Sequence, residues 1–118
     1  MTIDKGQQVR ESLKEKKYRE ALFSLVLRNL ALQIRQMRKK KGWTQAQLGA
    51  RVGRSLSTIS HMESANPRYF SMLVLKRMAT VFDVALLVRF TRFSELVDWL
   101  VKVTPTNLTP PSYDEEHD

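Results

Sequence analysis

The sequence predicts a mainly all-α domain, a helical bundle with a helix-turn-helix at its centre. Three observations lead there. The stretch from Tyr18 to Lys41 holds no glycine or proline and is rich in Leu, Ala, Arg, Lys and Gln, so it reads as one long helix. Residues 42–63, GWTQAQLGARVGRSLSTISHME, hold two helix starts, Thr44 and Ser55, separated by Gly53. From Ser71 to Phe82, apolar residues recur with a helical period.

Taken in order, residues 1–17 are polar and mixed in charge and read as an N-terminal extension, with a weak helix near 7–16. Leu22, Val26, Leu30, Ile34 and Met37 form the inner stripe of the long helix. Its first half is apolar more widely, through Phe23, Leu25 and Leu27, which calls for either the C-terminal segment or another subunit to pack there. Arg38 to Lys41 end it favourably for the helix dipole, and Gly42 supplies the stop. Thr44 caps a helix over 45–52 with Leu48 and Val52 inward, and Trp43 is placed to staple against Leu48. Gly49 costs about 1 kcal/mol against Ala in mid-helix, which a close helix crossing would explain. Gly53 reverses the chain, and Ser55 caps a helix over 56–63 with Ile59 and Met62 inward. A loop broken by Pro67 leads to the Ser71-capped helix, whose apolar candidates are Leu73, Leu75, Met78, Ala79 and Phe82.

After Asp83 the pattern changes. Residues 84–91, VALLVRFT, are β-branched and aromatic and fit a short strand, with continued helix as the alternative. A lone strand leaves backbone groups unpaired, and pairing with its copy in a second subunit is one answer. Phe93 and Ser94 give a staple and cap for a last helix near 95–102, with Leu96, Trp99 and Leu100 apolar. The tail, 103–118, carries three prolines and then Asp114, Glu115, Glu116 and Asp118, and reads as disordered and acidic. The division is therefore an extension over 1–17, a domain over 18–102 whose segment 84–102 serves dimerisation, and the tail.

Charge narrows the partners. The net charge is +8 and the isoelectric point about 10.1. Residues 28–77 hold eleven basic side chains and a single acid, Glu63. A phosphate backbone suits such a surface, because each neutralised phosphate releases a counterion. The absence of cysteine excludes disulfides and thiolate chemistry. His61 has only His117 in the tail as a second histidine, which makes no metal site. No catalytic constellation and no phosphate-cradling glycine loop is present, so neither an enzyme nor a cofactor is expected. No apolar run has membrane-spanning length and the N-terminus has no signal-peptide layout; the expectation is a cytoplasmic protein with no membrane partner.

The residues Ile34…Arg38, Gly42-Trp43-Thr44-Gln45, Leu48-Gly49, Gly53, Ser57-x-x-Ser60 and Glu63 together resemble the XRE/Cro family of helix-turn-helix regulators, over roughly 31–88. The flanks are similar to those of small single-domain members, some of which are antitoxins. The resemblance implies a lambda-repressor-like bundle of about five helices, acting as a homodimer on double-stranded DNA. It implies base reading by Leu56, Ser57 and His61, with Thr58 and Ser60 secondary. It implies phosphate contact by Gln45, whose side chain can also brace the recognition helix, and backbone or minor-groove contacts by Asn66 and Arg68. Thr44, Arg51, Arg54 and Ser55 lie where they would join the phosphate contacts, and Arg38 with Glu63 resembles a structural ion pair.

Two positions depart from the family pattern. Leu56 stands where many members carry Gln, exchanging a bidentate adenine reader for apolar contact such as a thymine methyl. Ala65 stands where a glycine is common. The expected function is that of a sequence-specific DNA-binding transcriptional regulator, a dimeric repressor with helix 56–63 in the major groove of a palindromic operator. The alternative is an antitoxin-type protein that binds and masks a partner protein.

Overall fold

The structure is a computed structural model and describes residues 5–103 and 108–117. The helices are α1 (Lys5–Ser12), α2 (Lys16–Lys40), α3 (Gln45–Val52), α4 (Leu56–Glu63), α5 (Met72–Phe82), α6 (Phe93–Lys102) and α7 (Tyr113–Glu116), with a 3-10 turn at Pro67–Tyr69. No strand occurs among the described residues. The all-α class follows from the sequence; several details do not.

The core lies where α2, α3, α4 and α5 meet. Ile34, Leu48, Val52, Ile59, Met62, Val74, Met78 and Phe82 form one buried cluster. Fully burying one such side chain contributes about 1.5–3 kcal/mol. Thr44, Ser55 and Ser71 each accept a hydrogen bond from the backbone N–H three residues on, which fixes where α3, α4 and α5 begin. Thr44 and Gln47 complete a reciprocal capping box. With Ser71 as cap, Val74, Met78 and Phe82 share the inward face at spacing four. Leu73, expected inside, is exposed one step round the helix, and Val74 takes its place. Trp43, paired with Leu48 in the sequence reading, stacks on Phe82 with ring centroids 5.7 Å apart.

The turn between α3 and α4 is tight because two N–H groups, of Gly53 and Arg54, donate to the Gly49 carbonyl. A Cβ on Gly49 would lie 2.5 Å from the Arg54 carbonyl oxygen, so glycine is required there by the crossing. Gly53 itself sits at φ +70°, the left-handed region open to glycine.

The ends depart from expectation. α1 begins at Lys5 and stops at Ser12, earlier than 7–16, and it packs on α6, with Arg10 bonded to Asp98. α6 begins at Phe93 and Arg92 is its N-cap residue, so Ser94 lies inside the helix and caps nothing. Glu95 instead ties that start together, accepting from the Thr91 hydroxyl at 2.7 Å and from the Arg89 and Arg92 guanidiniums. Val97 is the buried residue of α6, whereas Trp99, one of its apolar candidates, is 47% exposed. Segment 84–92 is neither helix nor paired strand, and apart from the Val84 N–H, which caps α5 through the Ala79 carbonyl, it makes no ladder bonds within the chain.

The tail also differs from its reading. Residues 104–107 and 118 lie outside the described residues, but 108–117 fold back on the bundle. Leu108 is buried, and its carbonyl accepts from Gln33 Nε2 at 2.8 Å. The Tyr113 N–H donates to the Asp83 carbonyl at 2.9 Å, and Lys40 pairs with Glu115 at 3.1 Å. The Lys40 ammonium, followed by bonds from the Ser112 backbone and hydroxyl, holds the Glu115 carboxyl below its ordinary range. One buried apolar residue, two hydrogen bonds and a surface ion pair at the basic end of α2 dock a segment whose composition looks disordered.

A single ion pair links α2 to α4. Arg38 donates from Nε to Glu63 Oε2 at 2.6 Å and from Nη2 to Oε1 at 2.9 Å, with side chains only 11% and 5% exposed. Its Nη1 donates to the Trp43 carbonyl at 2.9 Å. The hydrogen bond to Glu63 raises the Arg38 pKa above its ordinary value; burial opposes this and the attraction between the charges adds to it.

Two stability predictions follow from these positions. Glu63→Ala strands a buried guanidinium and lowers unfolding free energy by about 3–5 kcal/mol. Replacing both partners, Arg38→Met with Glu63→Leu, restores most of that loss, as urea midpoints at unchanged slope will register. Ala65 occupies φ 60°. That conformation costs an L-residue about 1–2 kcal/mol, against about 0.4–1 kcal/mol of added chain entropy for glycine. Ala65→Gly therefore raises the melting temperature by about 2–4 °C; a fall would show that the turn carries no strain.

Candidate nucleic-acid interface

α4 presents two different faces. Ile59 and Met62 are fully buried and lock it onto the core. The opposite side shows Leu56, 55% exposed, with Ser57 and His61 exposed and Thr58 and Ser60 half-buried. Short side chains on an exposed helix allow its backbone to come close to another surface. The helix is held in rotation by its N-cap, since Ser55 Oγ accepts from the Thr58 N–H at 3.1 Å and lies 3.1 Å from Thr58 Oγ1.

His61 is stacked face to face on Tyr69, with ring centroids 4.4 Å apart and planes 11° from parallel. Stacking occupies a face of the imidazole and leaves its two nitrogens at the edge, where neither makes a hydrogen bond among the described residues. The loop below is built for this. Asn66 Oδ1 accepts from the Arg68 N–H at 3.1 Å and caps the 3-10 turn, and the Asn66 N–H donates to the His61 carbonyl at 3.1 Å. Asn66 thus shapes the loop, and Arg68 projects from it exposed.

Gln45 opens α3 and is half-buried, with Nε2 donating to Glu63 Oε1 at 3.3 Å. The first residue of α3 is thereby joined to the last of α4 through the ion-paired carboxylate. Thr44, engaged by its cap, still has a hydroxyl proton to offer. The cations around the turn are each anchored. Arg51 lies over the Trp43 ring, 4.1 Å from its centroid, and donates to the Gln47 carbonyl at 3.2 Å. Arg54 donates to the Gly53 carbonyl at 3.0 Å. Glu63 is neutralised by Arg38, so the field over this face is set by Arg51, Arg54 and Arg68. Chemically, the face offers hydrogen-bond donors, positive charge and one apolar contact at Leu56. Among the described residues, no three His, Cys, Asp or Glu side chains are grouped to hold a metal, and no helix is long and apolar enough to cross a membrane.

Ser55, Leu56, Ser57, Thr58, Ser60 and His61 thus sit together on or at the start of α4, with Thr44, Gln45, Arg51, Arg54, Asn66 and Arg68 around it. Four further residues shape the site and were not singled out for it. Gln47 completes the Thr44 cap, and the Thr-x-x-Gln spacing was a visible signal for that. Trp43 supports Arg51 and Tyr69 supports His61, contacts with no sequence signature. Arg77 reaches from α5 to the Val52 carbonyl at 3.3 Å and steadies the end of α3 from 25 residues away.

Residues 34–88 match a family model described as helix-turn-helix, which spans α3, α4 and α5 and the end of α2. No match is found among curated proteins or among solved structures. Residues 34–88, a little under half of the chain, are thus similar to the helix-turn-helix domain of XRE/Cro-type DNA-binding transcriptional regulators.

Proposed function

We infer that the chain is a dimeric repressor that reads a palindromic operator. α4 enters the major groove with Leu56, Ser57 and His61 at base edges and Thr58 and Ser60 beside them. Thr44, Gln45, Arg51, Arg54, Ser55, Asn66 and Arg68 hold the sugar-phosphate backbone and set the register. Two copies then read half-sites about 34–36 Å apart. Such a protein works in the cytoplasm, where the DNA is, and needs no cofactor.

One observation carries this reading. A short helix is fixed by two fully buried residues and a cap, and its exposed face holds small polar groups beside anchored arginines. Base reading needs that rigidity, because an edge contact discriminates only when its donor is already in place. His61 meets the requirement through Tyr69. Leu56 supplies an apolar contact suited to a thymine methyl.

Selection of bound sequences from a random DNA pool at moderate salt should return one preferred site; a pool that stays random overturns the reading. Within the selected site the roles divide. Gln45→Ala weakens binding to all sequences about equally. Ser57→Ala or His61→Ala relaxes preference at one base pair by about 1–3 kcal/mol. Equal loss across sequences for all three would defeat the division. Arg68→Ala lowers the slope of log affinity against log salt by about 1; an unchanged slope would remove Arg68 from the phosphate contacts.

A further inference from the structure

The basic end of α2 is covered by an acid of the chain's own. Cations occupy every position from Arg38 to Lys41. Arg38 is committed to Glu63. Lys39 and Lys41 are exposed, and neither is bonded to a carboxylate among the described residues. Lys40 is different. Its Nζ donates to Glu115 Oε2 at 3.1 Å and lies 3.4 Å from Oε1, joining α2 to α7 across 75 residues of chain.

Glu115 is held in this place by the tail itself. Ser112 Oγ accepts from the Glu115 N–H at 3.2 Å, and Glu115 Oε1 accepts from the Ser112 N–H at 3.3 Å, a reciprocal capping box. The rings of Tyr113 and His117 stack with centroids 4.0 Å apart, which stiffens the single turn of α7. The tail also walls an open groove of about 940 Å³ beside α5 with Pro110, Pro111 and Tyr113. Leu108 and the Tyr113 N–H therefore seat the tail without help from Lys40. The ion pair is about half exposed on both sides, and a pair so exposed adds little to stability. Its position therefore calls for a role other than holding the tail down.

A carboxylate oxygen on an ammonium makes the same charge-assisted bond that a phosphate oxygen would make. Lys40 precedes Thr44 by four residues, so the two Cα atoms lie at most about 15 Å apart. The turn between them is fixed, because Arg38 Nη1 holds the Trp43 carbonyl at 2.9 Å. Thr44 and Gln45 are phosphate contacts in the function above. A duplex strand offers a further phosphate about every 3.4 Å along the axis, so a strand held at Gln45 continues towards the end of α2. Asp114 and Glu116 flank Glu115, exposed and bonded to no cation among the described residues. The tail thus sets three acids where that strand would continue.

We propose that Lys40 is a further phosphate-binding residue and that Glu115 occupies it in the free chain, which makes the tail a built-in competitor of duplex DNA. The ligand is the sugar-phosphate backbone, whatever its sequence. Binding exchanges one ionic partner of Lys40 for another, while Leu108 stays buried and the tail stays attached. The inference rests on the DNA-binding part of the function above and deepens it. It concerns affinity for any duplex, so it is tested apart from operator preference.

The test is fluorescence anisotropy of the full chain with a labelled duplex of arbitrary sequence at low salt. Glu115→Gln should tighten binding about two- to fivefold, the range open to one surface ion pair. Glu116→Gln removes the same charge one residue further on and should leave affinity nearly unchanged. Lys40→Gln should weaken binding and abolish the gain when combined with Glu115→Gln. Equal tightening by the two glutamate variants would reduce the effect to net charge and overturn the proposal. A gain from Glu115→Gln that persists beside Lys40→Gln overturns it as well. A chain that binds duplex with no gain from Glu115→Gln defeats this inference alone, whereas a chain that binds no duplex defeats the proposed function and this inference with it.

Discussion

The Arg38–Glu63 pair is the contact on which the placement of everything else depends. It is bidentate, nearly buried, and joins the end of α2 to the end of α4. A buried ion pair contributes little net stability, because desolvation offsets most of the attraction. Its value is geometric. The guanidinium has a third donor, which fixes the Trp43 carbonyl, and the carboxylate has a further lone pair, which receives Gln45. Four pieces of chain are therefore referenced to one planar contact: the end of α2, the turn at Trp43, the start of α3 and the end of α4. A pair of leucines would fill the same volume and fix none of these directions.

The same economy holds for the remaining cations near the turn. Arg51, Arg54 and Arg77 donate to the carbonyls of Gln47, Gly53 and Val52. The Val52 and Gly53 carbonyls lie at the end of α3, where the helix dipole leaves partial negative charge. The arginines thus stabilise α3 and are held in position by it. An arginine ordered in advance loses less entropy when it meets a phosphate than one swinging freely. Under the proposed function, stability and recognition draw on one set of contacts at Arg51 and Arg54, and substitutions there affect both.

Much of the bundle was legible in the sequence because its signals are local. Thr44, Ser55 and Ser71 announce helix starts by side-chain chemistry, and Gly42 and Gly53 take positive φ as the turns demand. Leu48, Val52, Ile59 and Met62 lie on short, well-capped helices, so their phase is fixed and their burial follows. Legibility failed where phase or partner came from afar. Leu73 and Val74 are equally apolar neighbours, and only the cap at Ser71 with the face of α3 decides which turns inward. Ser94 has the chemistry of a cap, but Glu95 gathers Thr91, Arg89 and Arg92 and starts the helix earlier. Leu108 gives no periodic signal, being one apolar residue among prolines, and its burial depends on a site on the bundle. At the interface, residue types were readable at each position of α4. The supports, Trp43 under Arg51 and Tyr69 under His61, were not, since neither spacing has a pattern.

The C-terminal half of the chain adds a constraint of its own. Asp83 ends α5 in the left-handed conformation, φ 58°, and turns the chain out into segment 84–92. The tail returns to that same residue, where the Tyr113 N–H meets its carbonyl, so Tyr113 and the preceding prolines become one wall of the groove beside α5. The turn and the groove wall therefore brace one another. The charge on segment 84–92 is governed at its other end by Glu95, held below its ordinary pKa first by the Thr91 hydroxyl, then by Arg92 and Arg89. A carboxyl with a lowered folded-state pKa lends its stabilisation above its unfolded value and loses it as pH falls through the folded one. Across neutral pH Glu95 is therefore ionised and Arg89 and Arg92 are countered within their own chain. Acid, by protonating Glu95, releases both guanidiniums and loosens the start of α6.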